Sequence, residues 1–127
     1  MADTRLEAAV NAVVDKIIED TGIEIHPLPL KGDGDCAARV SGDRTLIVTL
    51  NGQHAEKEVK CTVYCKAGDS QKGVEIITAI QDYIDHLTEM PESDVVHIEN
   101  VSADSVSETN NTDEWIYEMI VTIKYCY

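Results

Sequence analysis

The chain has 127 residues, with 24 Asp and Glu against 10 Lys and Arg, a formal net charge of −14. So negative a surface repels phosphate, which argues against wrapping nucleic acid by counterion release and against docking on anionic membrane. It suits solubility, a basic protein partner, or a channel wall to which DNA does not stick.

The length fits one domain, 1–127, and a chain of this size buries about two-thirds of its unfolded surface without staples. "MADTRLEAAV" lacks a basic stretch before an apolar core, so no signal peptide is expected. No apolar run approaches the roughly 18 residues that span a bilayer. The chain is therefore expected to stay in cytosol, with its four cysteines as thiols.

Thr4 to Asp20 predicts the first helix. Leu6, Ala9, Val10, Val13, Val14, Ile17 and Ile18 make one apolar stripe of period 3.6. Thr4 and Glu7 form a capping-box pattern, and Gly22 supplies a left-handed stop. "GIEIHPLPLKGDGD" follows, where prolines 27 and 29 predict an extended crossover and then a loop. "CAARV" (36–40) and "TLIVTL" (45–50) predict two short strands around the turn "SGD".

"KEVKCTVYCKA" (57–67) alternates strictly. Val59, Cys61, Val63 and Cys65 face one way, and Lys60, Thr62, Tyr64 and Lys66 face the other, the pattern of a half-buried antiparallel strand. A second helix follows, capped by Asp69 or Ser70. Its buried stripe is read as Val74, Ile77, Ile80, Ile84 and Leu87, and its end is marked by Pro91. "DVVHIENVSA" and the terminal "DEWIYEMIVTIKYCY" predict a strand pair, joined by the long acidic loop "DSVSETNNTD". The fold class is thus α+β, a mostly antiparallel sheet with two helices on one face, in the order α-β-β-β-α-β-β.

Chemical motifs are sparse. Cys61 and Cys65 lie four apart on a strand, about 13 Å, too far to bond or to share a zinc without bending. Cys36, Cys61, Cys65 and Cys126 read as small apolar residues. "KGDGDC" lacks the ligand spacing of a calcium loop, and "AGDSQKG" lacks the ending of a phosphate loop. The four histidines are scattered, and no nucleophile stands beside one in a local signature. The reading is a protein that is not an enzyme, with no metal or cofactor.

What remains is the last strand. Its odd face, Trp115, Tyr117, Met119, Val121, Ile123, Tyr125 and Tyr127, is apolar throughout and predicts burial under the helices. Its even face mixes Ile116 and Ile120 with Glu118 and Lys124. These four are the candidates for contact with another subunit, because interfaces favour apolar and aromatic residues ringed by polar ones. In the acidic loop, Asp104, Glu108 and Asp113 are the candidate docking residues.

A helix "LEAAVNAVVDKIIEDTGI", a proline-bearing crossover, the strand "KEVKCTVYCKA", the capped helix "GDSQKGVEIITAIQDYIDHL" and the aromatic strand "YEMIVTIKYCY" succeed one another. This succession resembles the tail terminator proteins of long-tailed bacteriophages, a group that includes phage minor capsid proteins. The resemblance implies a structural virion protein, assembled in the bacterial cytoplasm and located in the tail or neck. Such a protein caps the tail tube as a homo-hexameric ring. Its partners are then itself, the tail tube protein and the head-completion or connector protein, with no membrane involved. Six copies would carry six times −14, or −84, so DNA would pass the lumen without specific binding. The family supplies no catalytic residues to transfer. The alternative is an acidic binding or inhibitor module, immunity-like or a DNA mimic, that neutralises a basic partner.

Overall fold

The computed structural model describes residues 4–27, 30, 32, 34–48, 54–111 and 114–127. Two helices, α1 (Thr4–Thr21) and α2 (Ser70–Asp85), lie on one face of a mixed, mostly antiparallel sheet. Its strands are β1 (Ile25–Pro27), β2 (Asp35–Val48), β3 (Ala55–Ala67), β4 (His97–Ala103), β5 (Ser107–Asn111) and β6 (Glu114–Cys126). The spatial order is β1-β2-β3-β6-β4, with β5 beside β4 against the same edge of β6.

Both helices form as their periodicity dictates. Ala9, Val13 and Ile17 of α1 are buried, with Leu6, Val10, Val14 and Ile18 packed at the margin. Gly22 ends the helix at φ 75°, its N–H donating to the Ile18 carbonyl at 2.9 Å. The proposed capping box rests on the Thr4 side chain, which lies outside the described residues. Asp69 caps α2, its carboxylate accepting from the Gln71 N–H.

The buried line of α2 runs through Gly73, Ile77, Ile80 and Ile84, and not through Val74, which is 43% exposed. The reason is Tyr117. Its ring fills the space over Gly73, where a Cβ would meet ring carbon Cε2 at 2.5 Å. The helix also stops at Asp85, six residues before Pro91, with His86 as its C-cap.

Three strands separate the helices, as expected, but they are divided differently. "CAARV" and the first four residues of "TLIVTL", 45–48, belong to one 14-residue strand, with irregularities between Val40 and Gly42 and between Thr45 and Ile47; the last two, 49 and 50, lie outside the described residues. The continuous 13-residue partner β3 holds the ladder together across the "SGD" that looked like a turn. Ile25–Pro27, expected as crossover, pairs in parallel with Cys36–Ala38. Pro27 is tolerated because β1 is outermost and needs no second ladder. The acidic stretch expected as a loop contains β5, which pairs residues 107–111 with 114–118.

The core is continuous from both helices into β3, β4 and β6. The odd face of β6 lies in it: Tyr117, Met119, Val121, Ile123 and Tyr125 are all at most 2% exposed. β6 is interior to the sheet, paired along its length with β3 on one side and with β4 and β5 on the other. The ladder with β3 continues at the corner, where Ala55 and Tyr127 exchange two backbone hydrogen bonds of 3.1 Å. Arg5 of α1 lies 3.9 Å over the Tyr127 ring, fastening the helix to that corner.

Two more contacts tie helix to helix and sheet to helix. The Tyr83 hydroxyl on α2 donates to Asp20 of α1 at 2.5 Å. Burial, and then the Asp20 carboxylate, push the Tyr83 hydroxyl up to about 12, while that bond holds Asp20 below the usual carboxylate range. Tyr117 donates from its hydroxyl to the Ser70 carbonyl at 3.2 Å.

Candidate interaction face

Both helices cover the odd face of β3 and β6, which leaves the other face of the sheet to be described. Side chains alternate across a strand, so the register fixes what meets there. Arg39, Thr62 and Ile120 stand side by side across β2, β3 and β6. The next row is Ala37, Tyr64 and Glu118, and the next Asp35, Lys66 and Ile116. Towards the other end come Arg44, Glu58 and Lys124.

This face is amphipathic at short range. Thr62 is only 6% exposed despite having no helix above it, because its neighbours on three strands close around it. Ile120 beside it is 37% exposed. The Arg39 guanidinium stands 6.0 Å from the centre of the Tyr64 ring. Arg39, Thr62, Tyr64, Asp104, Glu118 and Ile120 border a shallow hollow of about 320 Å³.

At the far end the charges are paired. Lys124 Nζ meets Glu56 Oε1 at 2.9 Å, and Arg44 Nη2 meets Glu58 Oε2 at 3.5 Å. The Glu56 carboxylate raises the Lys124 ammonium above its ordinary range. Cys126, next to Lys124, is raised by burial and by Glu99.

The residues singled out in sequence divide as follows. Ile116, Glu118, Ile120 and Lys124 all lie on this face, with Glu118 and Ile120 in the hollow and Lys124 in the ion pair with Glu56. Asp104 joins the hollow's rim. Its N–H donates to the Ile120 carbonyl at 2.9 Å, and its carbonyl accepts from Gln81 Nε2 at 3.0 Å. Glu108 sits elsewhere: on β5 it is opposite Tyr117, on the helix side, where burial and Glu108 raise the Tyr117 hydroxyl. Asp113 lies outside the described residues.

Arg39, Thr62 and Tyr64 were not singled out beforehand. The alternation of "KEVKCTVYCKA" already placed Thr62 and Tyr64 on one face. What sequence could not supply was that β3 lies beside β6, in the register Thr62 to Ile120.

A larger groove, about 990 Å³, opens between the segment 89–96 and the sheet corner at Cys126 and Tyr127. Glu89, Glu92, Asp94 and His97 are among the residues that line it. Cys36 and Cys65 face each other across β2 and β3, and their shared hydrogen bond and burial raise the Cys36 thiol far above its ordinary value. Burial pushes Cys61 up to about 11. The Cys36 and Cys61 thiols are therefore protonated at neutral pH and are poor nucleophiles and ligands. Among the described residues no group of three His, Cys, Asp or Glu is placed to hold a metal ion. No described helix is long and apolar enough to cross a membrane. Neither a protein-family model nor a curated protein matches this chain.

Proposed function

We propose that this protein is an assembly protein of the virion, the tail terminator or head–tail joining protein of a long-tailed bacteriophage. It would assemble in the bacterial cytoplasm, close as a homo-hexameric ring on the tail tube, and offer a surface to the head connector. The observation that carries this reading is the sheet face away from the helices, where Tyr64, Ile116 and Ile120 sit among charges on an interior strand pair. Such a mixture supports an interface between separately folded proteins over a core. The net charge of −14 suits a ring through which DNA passes without sticking.

The test is to mix the protein with purified tail tubes and inspect them by electron microscopy. Rings on one tube end are the expected result. Bare tube ends at saturating protein would refute the reading.

The second reading, an acidic module that neutralises a basic protein, is favoured by one observation. Glu7, Asp15 and Glu19 line the exposed side of α1 at four- and eight-residue spacings. Tight, salt-sensitive binding of a basic protein by the isolated chain, with no tube capping, would select it.

A further inference from the structure

The four cysteines stand on three strands: Cys36 on β2, Cys61 and Cys65 on β3, and Cys126 on β6. Cys61 is opposite Val40 and Val121, and Cys126 is opposite Glu56 and His97. Among the described residues, Cys36 and Cys65 alone are cysteines placed directly across from each other.

The backbone ladder fixes what kind of pair they make. Ala55 and Tyr127 exchange two hydrogen bonds, and the register of β3 on β6 runs without a shift from Glu56 and Cys126 to Ala67 and Trp115. The odd residues of β3, Cys65 among them, therefore turn their N–H and C=O towards β6. The even residues turn theirs towards β2, as at Lys66, whose carbonyl accepts from the Gly34 N–H at 2.7 Å. Cys36 and Cys65 are thus a pair without mutual backbone bonds. In such pairs the Cα atoms stand about 4.5 Å apart and the side chains approach most closely. A disulfide needs Cα atoms about 4.4–6.8 Å apart, so the sheet already holds the two cysteines at bonding separation. Both side chains lie on the helix side, 1% and 0% exposed.

We infer that Cys36 and Cys65 are a reversible disulfide site, closed by exchange with a low-molecular-weight disulfide, that fastens β2 to β3. Cys36 reacts first, because β2 is flanked on its outer side only by the three-residue β1, whereas β3 is interior. In the closed fold the pair is out of reach, so exchange waits on local opening of that edge. The Cys36 thiolate then attacks one sulfur of the small disulfide. The small S–S bond breaks, a mixed disulfide forms at Cys36, and one small thiol leaves. The Cys65 thiolate attacks the Cys36 sulfur, the second small thiol leaves, and the cross-strand bond is made. Two protein thiols are oxidised and one small disulfide is reduced to two thiols, each departing thiolate taking up a proton that a cysteine lost.

The bond closes a loop of 65 − 36 = 29 residues and ties the edge of the sheet to its interior. It stands whatever the protein assembles with, and goes beyond the tail reading. In a virion it would leave the sheet edge unfastened in a reducing cytoplasm and fasten it after release into oxidising surroundings.

The test incubates reduced protein at mildly alkaline pH with excess oxidised glutathione, in urea just below the unfolding transition, and then removes the urea. Mass spectrometry should show an intramolecular product lighter by two hydrogen atoms, with peptides bearing Cys36 and Cys65 linked. The oxidised chain should melt about 10 °C above the reduced one, and dithiothreitol should abolish the difference. Cys61→Ala/Cys126→Ala should keep this gain, while Cys36→Ala and Cys65→Ala should each lose it. Every variant is compared with its own reduced form, so a change in its basal stability does not enter. Were a Cys36 or Cys65 variant not to fold, the Cys61→Ala/Cys126→Ala chain still decides, because it holds only this pair. Three results would overturn the inference: glutathione adducts with no internal bond, a link through Cys61 or Cys126, or an oxidised form that melts no higher than the reduced one.

Discussion

Met119 and Ile120 are adjacent in sequence and sit on opposite faces of the sheet, 1% and 37% exposed. Aspartate at each position asks a different question. Met119 lies opposite Val63 beneath the helices, so Met119→Asp forfeits about 1.5–3 kcal/mol of apolar burial. It also places a carboxyl in an apolar layer with no partner, which adds several kcal/mol even after the group protonates. The total, about 5 kcal/mol or more, rivals the whole stability of a domain this size, about 5–15 kcal/mol. Ile120 keeps more than a third of its surface in water and can turn a carboxylate outward. Ile120→Asp loses about 1 kcal/mol of partial burial and up to about 1 kcal/mol of strand preference, so its melting point falls by about 3–8 °C. Thermal melts followed by circular dichroism should therefore show no cooperative transition for Met119→Asp and a modestly lowered one for Ile120→Asp. The folded Ile120→Asp protein should then fail to self-associate and to cap tubes. A Met119→Asp protein that melts within a few degrees of the wild type would refute the facing of β6. An Ile120→Asp protein that assembles normally would remove that residue from the interface.

Three further outcomes follow from the packing. Gly73→Ala gains about 1 kcal/mol of helix preference but drives a methyl into the Tyr117 ring, an overpacking cost of about 1–3 kcal/mol; urea unfolding should show net destabilisation, and a more stable variant would mean that the ring yields freely. Tyr83→Phe should lower the melting point at neutral pH by removing the bond that depresses the Asp20 carboxyl. A depressed acid contributes stability above its unfolded value and loses it as pH falls through its folded one, so the deficit of Tyr83→Phe should shrink on acidification through the carboxylate range; a deficit independent of pH would refute the link. Iodoacetamide at pH 8 should modify the half-buried Cys126 first and leave Cys36, Cys61 and Cys65 intact until unfolding, as peptide mass mapping would show.

The elements legible in sequence were those whose pattern is set by burial on one side. The stripe of α1 and the alternation in β3 and β6 need only a helical period of 3.6 or a strand period of 2, and both residue types and facing could be read directly. The misread elements owe their state to a neighbour. "SETNN" has no alternating apolar residues, and becomes β5 because β6 offers it an edge. "SGD" carries turn chemistry, yet stays extended because β3 continues opposite it. Val74 fits the helical stripe, but the Tyr117 ring selects Gly73, and no local pattern contains a ring arriving from 44 residues away. The same limit applied to the site. The even residues of β6 could be found, while Arg39, Thr62 and Tyr64 entered only with the register between strands.

The composition of the open face also bears on how strongly it can bind. An obligate interface resembles a core cut in half, and this face does not: between Ile116 and Ile120 stands Glu118, and Thr62 fills the centre where a core would place a large apolar side chain. The apolar patch is too small to hold copies together unaided. Any partner held there would depend in part on surface charge pairs, each worth about 0–1 kcal/mol and screened beyond about 8 Å at physiological salt. A contact of that kind is weak between free copies and becomes firm when a third body holds several copies in place, because each later contact is then made at high effective concentration. A tube end presenting repeated sites is such a body. If the protein caps a tube as proposed, a face of this composition would leave copies apart in solution at ordinary concentrations and let them close into a ring on the tube end.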